Sequence, residues 1–384
     1  MQPFHRTLFA SALLVLLFVG CRKAVVPPPA PVKKVPPRIS DADLAKFKPN
    51  EAGAVMVLMY HRVRASEASG ELNRPPAEFR RDLETLLKNN YYPVNVSDIV
   101  ENKMDVPLGK TPVALTFDDS LPTQFRTVTG KDGESHIDPD CAVGIMESFS
   151  KAHPKEWPMR ATFFVLPKEG TNGDPFGDAD SVGDKFSYLA EKGYEVANHT
   201  STHSSLRPMN ADKIQWELAT ARKDIHALAP EAKMSILALP YGKLPRDKAA
   251  QAALMQGASG GTSYQHRAVF LAAWRPILSP VTFNDKKWTD AGQLCPFNPQ
   301  RLERVKPDAK NAGEPGTFEY WMKWFEKNPG SRYVSDGNPK VCAIPASRAA
   351  SVDAMRVESV GQILQTYGGA ASKGKSGKGG LSVE

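Results

Sequence analysis

The stretch Val113-Ala114-Leu115-Thr116-Phe117-Asp118-Asp119-Ser120 decides how the rest of the chain is read. Behind Pro112, a short apolar run reads as a buried strand and stops at two adjacent carboxylates. Side chains along a strand alternate between faces, so a strand that ran on would bury one of these charges. A strand that ends here releases both into an open site. A divalent cation would relieve their mutual repulsion. Taken alone, an Asp-Asp pair is also an ordinary start for a turn or helix, capping backbone amides. The weight must come from the surrounding chain.

Outward from this strand the signals alternate. Residues 54–59 read as an apolar strand and 76–88 as a helix, with Phe79, Leu83, Leu86 and Leu87 at helical spacing. Short strands follow at 93–96 and 159–166, then a helix over 182–192 closed by Gly193. Residues 194–197 form a strand leading to His199. Asn210 caps a helix over 211–228, and a strand over 234–239 ends at Pro240-Tyr241-Gly242. Strand-then-helix order predicts a parallel sheet, open or closed into a barrel. Ligands bind beyond the carboxyl ends of such strands, so Asp118-Asp119, His199 and the Pro240-Tyr241 turn are expected to meet at one mouth.

The second chemical element is Asn198-His199-Thr200-Ser201-Thr202-His203. Two histidines four positions apart can reach one metal from a single turn of backbone. Asp119 completes a set of two histidines and a carboxylate, with positions left for water and substrate. Such donors suit zinc first, and also cobalt, nickel or manganese. Separately, each histidine is equally at home bonded to local backbone in a loop.

With both elements in view, the chain resembles the polysaccharide deacetylases, the NodB-homology family of carbohydrate esterases. The resemblance is carried by Thr116-Phe117-Asp118-Asp119 and His199-Thr200-Ser201-Thr202-His203, with Met59-Tyr60-His61, residues 161–165 and Gly193-Tyr194-Glu195-Val196 in support. It covers roughly residues 54–242 and thins beyond. It implies a distorted (β/α) barrel of about seven parallel strands and hydrolysis of acetyl groups on a glycan. Asp119, His199 and His203 would hold the metal, and Asp118 would be the base that deprotonates the attacking water. Pro240 and Tyr241 would line the substrate, with the Tyr241 amide as oxyanion donor. Three departures stand out. Ser120 replaces the usual glycine. Ala238 stands where an arginine normally orients the base, leaving Arg207 or Arg246 as substitutes. No Leu-x-Leu-His-like motif occurs near the C-terminus, so the usual general acid is unassigned: His266, the last histidine, and His61 are the candidates, and each is at least as well explained as a histidine satisfying local hydrogen bonds.

The flanks read differently. Residues 1–20 form a signal peptide, and Phe18-Val19-Gly20-Cys21 resembles a bacterial lipoprotein signal in which Cys21 becomes acylated. Residues 21–50 are a Pro-rich linker, 51–367 the folded body, and 368–384 a Gly-, Ser- and Lys-rich tail expected to be disordered. Cys295 and Cys342 are available to pair outside the cytoplasm, leaving Cys141 as a buried thiol. Residues 121–139 are long enough to form a rim or lid. The aromatic stretch over 274–338, with Tyr320 and Trp324, fits a core-facing helix better than a sugar groove. A net charge of +7 spread over 384 residues is no nucleic-acid signature. The expected protein is an envelope lipoprotein, membrane-anchored and acting on an acetylated glycan. A glycan-binding protein that has lost turnover, or an amidase on small amides, are the alternatives. Cys21→Ser is expected to move the protein from the membrane to the soluble fraction, checked by fractionation; unchanged partitioning would point to a plain helical anchor.

Overall fold

The computed structural model describes residues 38–65, 72–167, 174–178, 180–308 and 310–369. The expected signal peptide, Cys21, most of the expected linker and residues 370–384 of the expected tail lie outside the described residues. In chain order the elements are α1 (Asp41–Phe47), β1 (Ala54–Tyr60), α2 (Pro76–Lys88), β2 (Tyr91–Pro93), α3 (Val96–Val100) and β3 (Thr111–Asp118). A small hairpin follows, β4 (Thr127–Thr129) and β5 (Ser135–Ile137), then α4 (Ala142–Ala152), β6 (Thr162–Val165), α5 (Val182–Glu191), β7 (Glu195–Asn198) and α6 (Ala211–Leu228). Next come β8 (Ile236–Ala238), α7 (Lys248–Ala253), β9 (Gln256–Ser259), β10 (Thr262–Gln265), β11 (Ala268–Phe270) and β12 (Ile277–Leu278). The chain ends in α8 (Phe318–Lys327), β13 (Val341–Pro345), α9 (Ala354–Ser359) and β14 (Ile363–Tyr367).

The main sheet runs β1-β3-β6-β7-β8-β11 in space, with every one of those pairings parallel. Its two edges are joined by a short extended segment. Leu302 pairs with Phe270 of β11, and three residues later Val305 pairs with Leu58 of β1, both parallel. The hydrogen bonds Leu302 N to Val269 O (2.9 Å), Leu271 N to Leu302 O (2.8 Å), Val305 N to Val57 O (2.7 Å) and Met59 N to Val305 O (2.9 Å) make the seam. Counting this segment, seven parallel staves close a barrel. β2 adds to β3, and β12 pairs antiparallel with the start of β1.

Side-chain parity sorts the core. Val55, Val57, Ala114, Phe164, Ala197, Ile236, Ala238, Ala268, Phe270 and Leu302 fill the inside. The many alanines are what a narrow barrel leaves room for. Their neighbours Leu58, Leu115, Phe117, Phe163 and Val196 face outward against Phe79, Leu83 and Leu86 of α2 and Phe186 and Leu189 of α5. On the opposite flank Leu237 and Val269 meet Ile214 and Leu218 of α6. The helix over 76–88 begins at Pro75-Pro76, where the missing N–H is lost at no cost, and Asn210 caps α6 through Lys213 N.

Several expectations need correction. The body starts before residue 51: Ser40 caps α1, Leu44 packs on Val341 and Ala343, and Ile39 exchanges two 3.1 Å hydrogen bonds with Gln365 of β14. The strand expected at 93–96 is Tyr91–Pro93, because Asn95 opens α3 instead. Cys295 and Cys342 do not pair; both are buried free thiols in separate clusters, as is Cys141 at the start of α4. Residues 121–139 carry the exposed β4-β5 hairpin. On α8, Trp321 is buried with its indole N–H on Trp274 O, while Tyr320 and Trp324 pack partly buried on the core.

Because Leu302 is fully buried at the seam, Leu302→Ala is expected to cost about 2–5 kcal/mol, read as a lower urea midpoint with an unchanged slope. A loss below about 1 kcal/mol would show that the seam does not hold the barrel.

Candidate active site

β3 does not stop before the carboxylates; it runs through Asp118. Ala114, Thr116 and Asp118 share one parity, and Ala114 faces the barrel interior, so Asp118 points inward too. Its side chain is 3% exposed, which rules out the release of both charges into open solvent. The chain then turns sharply. Asp119 (φ 79°) and Ser120 (φ 51°) are both left-handed, and Asp119 swings to the mouth. Ser120, at the position usual for glycine, uses its hydroxyl to accept from Leu166 N at 2.9 Å, tying this turn to the end of β6.

A carboxylate pointed into a barrel needs a countercharge. It comes from Arg304, on the seam and two residues after Leu302, hence on the same inward face. Its guanidinium makes a bidentate pair with Asp118, Nη1 to Oδ1 at 2.6 Å and Nη2 to Oδ2 at 2.7 Å, and also donates to Thr116 Oγ1 (3.3 Å) and Leu271 O (3.3 Å). The ring of Phe164 lies under it, 5.3 Å from centroid to Cζ. Burial pushes the Asp118 carboxyl up, but Arg304 and the nearby His199 outweigh it and hold it below the usual carboxylate range. Ala238 contributes only a methyl to this interior, so the charge expected from β8 is supplied by the seam instead. Arg207 and Arg246, the expected substitutes, are both exposed.

Asp119 Oδ1 lies 3.1 Å from His199 Nε2 and 3.0 Å from His203 Nε2. His199 Nδ1 donates to Ala238 O at 2.9 Å, which fixes the tautomer and leaves an Nε2 lone pair aimed at a carboxylate oxygen. Two lone pairs facing each other at that distance call for a proton or a cation between them. The three donor atoms lie within 4.8 Å of one another, and His203 Nδ1 is buried without a hydrogen-bond partner. Both donor set and spacing therefore fit a divalent metal. Burial raises the Asp119 carboxyl, yet His199 and His203 together hold it far below its ordinary value.

The loop carrying the histidines is held by groups the sequence did not reveal. Glu217 of α6, fully buried, accepts from Ser201 N (3.1 Å), Thr202 N (3.0 Å) and Thr202 Oγ1 (2.6 Å). Asn198 Oδ1 accepts from Thr200 N at 2.8 Å. Gln124 ties the ends of β1 and β3 together by donating to His61 O and Asp118 O. Arg304 had no such signal, since Leu302-Glu303-Arg304-Val305 sets two charged residues between two apolar ones and shows no alternation; a lone buried Glu or Gln has none either.

His61, at the end of β1, places Nε2 3.9 Å from Asp118 Oδ2 and 4.0 Å from Asp119 Oδ2, with Nδ1 buried and unpartnered. Burial lowers its imidazole, against the pull of both carboxylates. His266 is not at the mouth. It precedes β11, donates from Nδ1 to Leu254 O (2.7 Å), and receives Asn198 Nδ2 on Nε2 (3.2 Å). Both ring nitrogens are thereby committed away from the carboxylates, and burial pulls the imidazole down to about 4, so His266 does not fill the place of the acid. Pro240 is buried, while Tyr241 (φ 61°) is 60% exposed with its ring 5.2 Å from that of His203.

Residues 154–257 match the family model described as polysaccharide deacetylase. That part of the chain is similar to polysaccharide deacetylases. It contains His199, His203 and the Pro240-Tyr241-Gly242 turn; Asp118, Asp119, His61 and Arg304 lie outside it and are brought in by the fold. Among solved structures the chain is similar to a Streptococcus pyogenes deacetylase solved with acetate, at 15% identity, covering 66% of this chain and 92% of that one, with a TM-score of 0.46. It is also similar to IcaB from Ammonifex degensii, at 16% identity, 67% and 94% coverage and a TM-score of 0.43. A polysaccharide deacetylase from Bacillus cereus matches at 16% identity, 66% and 64% coverage, TM-score 0.45.

Arg304→Met in this barrel strands a buried carboxylate, at an expected cost of about 3–5 kcal/mol. Adding Asp118→Asn to Arg304→Met should recover part of that loss. Urea unfolding of the two singles and the double checks it, and losses that simply add would show no coupling.

Proposed function

We propose that the protein is a metal-dependent hydrolase that removes acetyl groups from an N-acetylated polysaccharide of the cell envelope or matrix. The observation that carries this reading is the pairing of Asp118 with Arg304 beside the Asp119-His199-His203 donor set. A protein that only bound glycan would have little use for a buried carboxylate held ionised next to a metal site. A divalent ion, zinc or else cobalt, nickel or manganese, would be held by Asp119, His199 and His203 and would supply Lewis-acid polarisation and a more acidic water.

This chain's own groups then have distinct tasks. Arg304 keeps Asp118 ionised and fixes the plane of its carboxylate, so that one oxygen faces the attacking water and takes its proton. His61, within 4.0 Å of both carboxylates, is positioned to deliver a proton to the leaving nitrogen, taking the role expected of His266. The left-handed backbone of Tyr241 and its exposed ring at His203 suit an amide donor for the developing oxyanion, with Pro240 setting the turn. The acetylated glycan is the partner, and Cys21 acylation would hold the enzyme at the membrane of the cell envelope.

Elemental analysis of purified protein is expected to find one divalent ion, lost on replacing both His199 and His203. Asp118→Asn should lower acetate release from acetylated glycans by about 10² or more while metal content stays near that of the wild type. Were the wild type to release no acetate yet bind an acetylated glycan equally with and without this change, the protein would be a glycan-binding module.

A further inference from the structure

His266 is a conspicuous residue without a task in the chemistry above. It is 2% exposed, neutral, and uses both ring nitrogens inside the protein. Leu254 O is a pure acceptor, so Nδ1 carries the hydrogen and Nε2 must accept. The group facing Nε2 is therefore the amide nitrogen of Asn198, whose other hydrogen points to Leu218 O at 3.5 Å. With its nitrogen so committed, the Asn198 oxygen is aimed at Thr200 N, 2.8 Å away. Thr200 is left-handed at φ 73°, an uncommon conformation for a β-branched residue, and its hydroxyl accepts from His203 N at 3.2 Å. The relay thus brackets both histidines of the donor set: Asn198 immediately precedes His199, and Thr200 holds the amide of His203.

We infer that His266 is a positioning residue for the metal-binding loop, acting through Asn198 to set the backbone that presents His199 and His203. This rests on the metal reading above. An asparagine amide is nearly symmetric in shape, and only its partners decide which end is oxygen. Leu218 O and His266 Nε2 demand the nitrogen on one side, leaving oxygen for Thr200. Without His266, one Asn198 N–H is buried and unpaired, and the strained Thr200 turn loses the fixed acceptor that stabilises it. Glu217 still anchors Ser201 and Thr202, so the loop persists while its ends loosen.

The test uses the full chain stripped of metal, with cobalt(II) alone as spectroscopic probe and zinc affinity from chelator competition. His266→Leu is expected to weaken zinc binding by about 10–100-fold, the range for groups that orient a metal ligand, and to alter the cobalt visible spectrum. His266→Gln, which offers a donor and an acceptor, should restore much of the affinity. Tyr264→Phe is the control. Its hydroxyl bonds Ala253 O and its ring lies 5.2 Å from that of His266, so it disturbs the same cluster without touching Asn198. It should lower the unfolding midpoint and leave zinc affinity unchanged. Should His266→Leu not fold, Asn198→Ala removes the acceptor for Thr200 N with His266 intact and must weaken zinc binding comparably. Wild-type affinity in either His266→Leu or Asn198→Ala, or an equal loss in Tyr264→Phe, overturns the relay. A wild type that binds neither cobalt nor zinc overturns the metal reading itself.

Discussion

The ion pair between Asp118 and Arg304 is the constraint around which the molecule is arranged. Strand parity aims Asp118 into the barrel, where a lone carboxylate would be prohibitively costly, and the bidentate guanidinium makes it tolerable. The residue that supplies the charge sits on the segment that joins β11 to β1. Closing the sheet and ionising the carboxylate are consequently one event. The two residues are separated by 186 positions in the chain, so the pair forms only when the whole barrel has come together.

Around that pair the loops are strained, and the strain is distributed. Asp119, Ser120, Thr200, His203 and Tyr241 are all non-glycine residues with positive φ, at the ends of β3, β7 and β8. Each such turn costs on the order of 1–3 kcal/mol unless its surroundings over-determine it. Three of them are held by their neighbours: Ser120 is bonded to Leu166, Thr200 to Asn198, and His203 to Thr200. Strand ends thus turn abruptly enough to present Asp119, His199 and His203 to one point.

Much of this was legible from the residues. The helices Pro76–Lys88 and Ala211–Leu228 showed their full extent, because apolar spacing and terminal signals, Pro75-Pro76 and Asn210, agree. The donor set was visible because its members lie in two compact motifs. The seam was not, since Leu302 and Val305 pair through isolated bridges too short to leave a period of two. Arg304 carries no pattern for the same reason, whereas Arg207 and Arg246, close in sequence to the motifs, are exposed to solvent. Of the two readings open for His266, acid or internally bonded histidine, the structure has the second: Nδ1 donates to Leu254 O and Nε2 accepts from Asn198, partners that lie far away in sequence or carry no pattern of their own. Ser40 and α1 were hidden by the proline-rich composition just upstream.

The seam also bears on where the chain can be cut. Residues 154–257 match the family model, and a fragment ending there would stop before β11 and before Leu302–Val305. Residues 154–257 alone would hold only β6, β7 and β8 of the main sheet, leaving β6 and β8 as open borders, each with a row of unpaired N–H and C=O groups on an apolar strand. Bare borders of that kind add strands from other molecules, so the piece most recognisable by sequence is the piece most prone to aggregate. The last third of the chain, thin in motifs, is what covers the β8 and β1 borders of the main sheet, through β11 and the segment Leu302–Val305.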